Sequence, residues 1–288
     1  GEQLIVWDKY GKFKRVLSKK GNDPQSYLHF NHFMIWPNGD LSIASPIEIV
    51  TYSNSHQFIN KKRCENVGYI EAITLLNDSL YIIKCMPTPE QLRYRIINHH
   101  TGAIINSYDS IINCNRYISS FTNSFERYEG HIISHGYQSN DILECTLDSS
   151  KIRYKINVDN RIPPAGFYTQ EGKEGMQLIQ EEAEKGYIGH IPDYVESKET
   201  ILLSFKGKRE DLNGIALIDK KDGNARVLEN IKFDDNFRWL PKQFFSLDEG
   251  WCAMLMYPED VLKKEEFARR FPGLDEESNP VLFIGKLR

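Results

Sequence analysis

The sequence predicts an all-β fold, a β-propeller of four-stranded antiparallel blades. Three observations predict it. Apolar and polar residues alternate along most of the chain, two hairpin patterns take turns from one end to the other, and the pair recurs at about 40 to 50 residues, the period of a propeller blade. One small sheet cannot bury both of its faces. Stacked blades cover each other and leave only short outer edges.

The first pattern opens the chain. Ile5 to Leu17, "IVWDKYGKFKRVL", is two β-forming runs around a Gly-containing turn. The same grammar returns from Ile49 ("IVTYSNSHQFINKK"), Tyr94 ("YRIINHHTGAIINSY"), Leu143 ("LECTLDSSKIRYKI") and Ile215 ("IALIDKKDGNARVL"). These are outer hairpins. The second pattern has a more apolar second strand, as a buried strand requires. It starts at His32 ("HFMIWPNGDLSIAS"), Ala72 ("AITLLNDSLYIIK"), Phe121 ("FTNSFERYEGHIISH"), His190 ("HIPDYVESKETILLSF") and Gln243 ("QFFSLDEGWCAMLMY"). These are inner hairpins.

The chain therefore opens with an outer hairpin that lacks an inner partner, and closes on an inner hairpin and a lone strand, "NPVLFIGKLR" from Asn279. The lone strand favours six blades, with itself in a separate last blade. Five blades is the alternative, closed by the C-terminal inner hairpin joining the N-terminal outer one. Either way residues 1–288 make one propeller domain.

Two segments interrupt the repeat, and insertions collect on loops of one face. In 159–186, "NRIPPAGFY" is Pro-stiffened and "EGKEGMQLIQEEAEKGY" reads as a short helix. Met176, Ile179 and Ala183 form its apolar stripe, and Glu and Gln lie opposite. It is expected to cap the sheet surface, or to serve as a lid. In 258–280, Pro258 starts a helix, Glu259 and Asp260 suit its N-terminus, and Arg269 and Arg270 suit its C-terminus. Val261, Leu262, Phe267 and Phe271 supply its apolar face. This helix is expected to dock on the surface, and is the place where a protein partner would be met.

Net charge is −4 and the pI about 6.1, so no basic field points to nucleic acid. No apolar run is long enough for a membrane-spanning helix. Cys64, Cys85, Cys114, Cys145 and Cys252 form no C-x-x-C pair and are expected as reduced, packed thiols. Aromatics make up 12 % of the chain, in keeping with sheets that carry amphipathic ring surfaces. Gly1 before a charged start reads as a scar left by tag removal, and a leader is expected to have been removed as well.

In a propeller the segment leading into each innermost strand borders the central channel. Here those segments bring Tyr27, His29, His32, Tyr69, Glu71, Arg116, Tyr117, Tyr187, His190, Asp193, Arg238 and Trp239. Rings for stacking and a few charges for orientation suit a carbohydrate or peptide-like ligand. His29, His32 and His190 together have the chemistry to hold zinc, but hydrogen-bonded structural imidazoles are the expectation, with no metal and no cofactor. Adjacent His99 and His100 sit in an outer-hairpin turn and are expected to face opposite ways. Glu71 and Asp193 are a candidate acid/base pair. No nucleophile elbow, zinc helix or phosphate loop occurs.

The opening "IVWDKYGKFKRVLSKKGNDPQSY" resembles the six-bladed, NHL-like β-propeller family of Bacteroidetes envelope proteins. Asp8, Gly11, Lys12, Phe13, Gly21, Pro24 and Tyr27 match its pattern, whereas Asn22-Asp23 and Ser26 depart from it. "RIPPAGFY" and "NPVLFIGKLR" are similar to that family too, so the likeness covers nearly the whole chain. The resemblance implies a secreted or lipid-anchored envelope protein and adds no chemistry. The expected function is non-enzymatic ligand recognition at the channel mouth. A glycan lyase or hydrolase on the same scaffold, and a protein-interaction scaffold, are the alternatives.

Overall fold

The computed structural model describes residues 4–7, 12–17, 19–64, 66–86, 92–110, 125–135, 140–158, 161–164, 166–170, 172–173, 175–232, 238–241, 244–247, 249–263 and 265–287. The chain divides into two compact units. One is Gly1–Phe125, Leu143–Arg153 and Ala165–Leu178, and the other is Glu126–Ile142, Tyr154–Pro164 and Ile179–Arg288.

The opening hairpin forms as read, with β1 (Leu4–Trp7) antiparallel to β2 (Phe13–Leu17) and Leu4 opposite Leu17. A lone hairpin is marginal in water. This one gains stability by packing on the first blade, where Leu17 is buried among Tyr27, Leu41, Ile43, Val50 and Tyr52, with Leu4 against them.

That first blade is the meander β3 (His32–Ile35), β4 (Leu41–Ala44), β5 (Glu48–Tyr52), β6 (Phe58–Arg63). Its inner turn is "PNGD", with Gly39 in the left-handed region at φ 84. Every residue of β4 and β5 is buried, and successive side chains go to different cores. Ile43, Val50 and Tyr52 face Tyr27 and Leu17, whereas Ala44 and Ile49 face Ile70, Ile73 and Ile83 of the next sheet. Burial on both faces is the condition stacked blades satisfy.

The second blade is β7 (Ile70–Leu75), β8 (Leu80–Cys85), β9 (Leu92–Asn98), β10 (Ile104–Ser110), and the third is β11 (Phe125–Tyr128), β12 (His131–Ser134), β13 (Asp141–Cys145), β14 (Ser150–Lys155). The fourth follows the first insertion. It contains β15 (Ile188–His190) and β16 (Tyr194–Glu196), both paired with β17 (Thr200–Gly207), then β18 (Gly214–Asp219) and β19 (Ala225–Val227). A two-stranded piece, β20 (Ile231–Lys232) with β21 (Arg238–Trp239), precedes the fifth blade, β22 (Phe244–Ser246), β23 (Trp251–Met256), β24 (Val281–Lys286). In this unit β17 alternates as β4 does. Leu202 faces Phe244 and Met254, whereas Ile201 and Leu203 face Ile133 and Ile142.

The fold is thus a mainly-β propeller, with five blades among the described residues. The expectation of six is corrected here. The C-terminal strand pairs along its length with β23, from Met256 opposite Val281 to Trp251 opposite Lys286, so it completes the fifth sheet instead of starting another.

Both insertions are helical; the first packs on a face other than the expected one, and the second keeps Val261 and Phe271 of its expected face, the Phe267 side chain lying outside the described residues. In α1 (Gly175–Lys185) Met176 is 74 % exposed, and the buried positions are Leu178 and Glu182, one turn apart. The second insertion is two short helices, α2 (Pro258–Leu262) and α3 (Glu265–Arg270), instead of one. Val261 is buried and Phe271 packs edge-on against Phe283, but Leu262 lies exposed. Among the described residues no helix is long and apolar enough to cross a membrane.

Candidate functional site

In the second unit a buried polar cluster is built from the starts of innermost strands and the strands beside them. Asp193 precedes β16, and the register of that hairpin (Tyr194 opposite Leu203) brings it against Ser204 on β17. The Ser204 hydroxyl donates to Asp193 Oδ2 at 2.5 Å and accepts from the Asp193 N–H at 3.1 Å. Burial raises the carboxyl's pKa. The Ser204 hydrogen bond, the charge of His135 and that of Lys206 oppose this.

His135 follows β12 and is also buried. Its Nδ1 lies 2.9 Å from the Ile191 carbonyl oxygen, which only accepts, so Nδ1 carries the proton. Nε2 then faces Glu126 of β11, 3.7 Å from Oε1. The imidazole packs on the Tyr194 ring, centroids 5.8 Å apart. The Tyr194 hydroxyl donates to Glu196 Oε2 at 2.8 Å, and Glu196 Oε1 also receives Tyr154 (3.0 Å) and Lys220 (2.7 Å). Two acid-containing pairs, Glu126–His135 and Asp193–Ser204, thus adjoin Tyr194, whose hydroxyl is held by Glu196.

The first unit also carries polar side chains at its own strand starts, with different partners. Glu71 is the extra residue of a β-bulge between Ile70 and Ala72. The bulge re-aims its carboxylate, and Oε2 lies 4.0 Å from the amine of buried Lys84 on β8. Burial lowers the Lys84 pKa and the Glu71 charge counters it. His32, at the start of β3, accepts from the Ile73 N–H through Nδ1 at 3.5 Å. Burial and the Lys84 charge hold its pKa down to about 4, so the ring is neutral at pH 7.

The other residues singled out from sequence fall less uniformly. Tyr27 is fully buried in the core with Leu17, Ile43, Val50 and Tyr52. His29 is exposed, and its carbonyl accepts from the Ser45 hydroxyl. Tyr69, Tyr187 and His190 are half-buried, and His190 pairs with Lys206 across β15 and β17. Arg116 and Tyr117 lie outside the described residues, as do the side chains of Arg238 and Trp239. His99 and His100 do not face opposite ways. They occupy the turn itself, with rings 5.1 Å apart, and His99 packs on Trp36. Among the described residues no three metal-ligating side chains converge. Cys64, Cys85, Cys145 and Cys252 are free and buried, whereas Cys114 lies outside the described residues.

Sequence reasoning missed Lys84, Glu126, His135 and Ser204. The signal it had was a charged or polar residue inside or at the end of an apolar inner strand, as in "LYIIKC" and "HIISH". Those strands were read for their apolar majority.

A protein family described as a domain of unknown function, DUF4934, matches residues 1–286. The chain belongs to this DUF4934 family. It is also similar in fold to a protein of Bacteroides fragilis named as an exported protein, with 11 % identity and a TM-score of 0.76 over 99 % of this chain and 85 % of that one. A Bacteroides vulgatus member of the DUF4221 family is similar at 10 % identity and a TM-score of 0.56, over 99 % and 86 %. At such identities the likeness shows this DUF4934 chain's fold alone. No curated protein matches it.

Proposed function

We propose that this DUF4934 chain is a ligand-recognition propeller of the cell envelope, binding a carbohydrate where the innermost strands begin. One observation carries the reading. Glu126–His135 and Asp193–Ser204 keep two carboxylates, an imidazole and a hydroxyl buried at strand starts where apolar side chains would pack at lower cost. Paired acceptors beside donors match vicinal hydroxyls, each of which donates and accepts. Propellers bind ligands where innermost strands approach the axis, which supports the placement. The exported relative supports the envelope assignment.

The test is thermal melting with a panel of neutral di- and trisaccharides from glucan, xylan, mannan and chitin, alongside short peptides. A saccharide should raise the melting temperature, and Asp193→Asn or Glu126→Gln should abolish the rise. A peptide hit would replace the carbohydrate. New reducing ends released from a hit would replace binding with glycan cleavage. A hit that ignores both substitutions would remove the site.

A further inference from the structure

The second unit holds a cleft of about 500 Å³, lined on one side by the end of β14 and residues 155–158, and on the other by β17, β18 and β19. This volume falls in the range of small-ligand sites. Its floor is hydrocarbon, from Ile156, Leu203, Ala216 and Ile218. Its rim carries Lys155 and Arg226, both exposed. Neither cation forms an ion pair or a side-chain hydrogen bond among the described residues. The third cation of the lining, Lys220, is held by Glu196 at 2.7 Å. The lining carboxylate, Asp219, accepts from the Lys221 N–H at 2.8 Å.

We propose that this cleft binds an amphipathic carboxylate, an acyl chain lying on the apolar floor with its carboxylate between Lys155 and Arg226. The match is one of charge and polarity together. A neutral hydrocarbon would leave two cations without a counter-charge, and a small anion would leave the floor wet. Arginine suits the head group because its guanidinium forks onto both carboxylate oxygens. The tail contributes affinity with length, up to about fourfold per buried methylene. The inference does not depend on the Glu126–His135 and Asp193–Ser204 pairs, none of which lines this cleft, although Tyr154 and Lys220 of its lining also hold Glu196.

The experiment is calorimetric titration of the whole chain with octanoate, with 1-octanol (the same tail, uncharged) and with acetate (the same head, no tail). Octanoate should bind below 1 mM, octanol at least tenfold more weakly, and acetate undetectably. Lys155 and Arg226 are exposed, so the double variant K155Q/R226Q should fold as the parent does. It should weaken octanoate at least tenfold and leave octanol unchanged. Ala225→Trp, at an exposed position of the lining, should block octanoate. Equal binding of octanol and octanoate overturns the proposal, as does octanoate binding that ignores the double variant, or none up to 10 mM. A parent that sediments as a dimer and turns monomeric with Ala225→Trp would give the cleft to a second copy of the chain, and would also overturn it.

Discussion

Leu202 and Leu203 are neighbours on β17, each 1 % exposed, and they enter different cores. Truncating either to alanine therefore probes one face of the fourth blade. Leu202 sits among Val195, Ile215, Phe244 and Met254 and does not line the cleft of about 500 Å³. Leu202→Ala loses the transfer free energy of the removed atoms and leaves a cavity, a cost of about 3–5 kcal/mol. Leu203 borders the cleft of about 500 Å³, so the new space there merges with existing solvent. Leu203→Ala loses mainly the transfer part, about 2–3 kcal/mol. Val227→Ala, at a 66 % exposed site of β19, is the control and should cost less than about 0.5 kcal/mol. Urea denaturation at 25 °C measures all three. A loss below about 1 kcal/mol for either leucine would mean that its face is not packed against a neighbouring sheet, and the blade argument would fail.

Three further outcomes follow from the buried polar groups. His32 is neutral when folded, with a pKa of about 4 against an ordinary 6.5. The unfolded chain thus binds the proton more readily, and stability should fall as pH drops from 6.5 towards 4, by on the order of 2–3 kcal/mol. His32→Asn can still accept from Ile73, so it should flatten this stretch of a stability–pH curve; an unchanged slope would contradict the neutral ring. Lys220→Met takes the ammonium charge and its hydrogen bond away from the fully buried Glu196 carboxylate, at a cost of about 3 kcal/mol. The E196Q/K220M double variant should recover at least half of that, and no recovery would show that the pair is not coupled. Burial pushes the thiols of Cys64 and Cys252 up to about 11 and those of Cys85 and Cys145 up to about 12. Native protein at pH 8 should then resist iodoacetamide at these four and react at all of them in urea, with mass spectrometry as the readout.

Alternating hairpins were legible in the sequence because strand periodicity and turn chemistry are local. "YEGH" and "DEGW" predict tight turns, and Glu129–Gly130 and Glu249–Gly250 both take the left-handed pairs that two-residue hairpins need. Which sheet receives the final strand is not local, since 24 residues of insertion separate β23 from β24, and the count of six failed there. The face of α1 failed for a related reason. Its spacing predicts an apolar stripe of Met176, Ile179 and Ala183, yet the packed side is Leu178 and Glu182, and a buried glutamate runs against any reading by polarity. Among the candidate site residues, Glu71, Asp193 and His32 are singled out in the sequence by position in the repeat. Their partners Lys84, Ser204 and Ile73 lie on neighbouring strands, and pairing register, which no single segment encodes, brings them into reach.

The most direct test of ligand recognition at the strand starts is the imidazole nitrogen spectrum of His135, recorded while a saccharide that raises the melting temperature is titrated in. His135→Gln identifies the resonance by removing it. The account predicts that the His135 nitrogen signals move in proportion to saturation while those of His99 and His100 stay in place. Saturable binding that leaves His135 unmoved would contradict it.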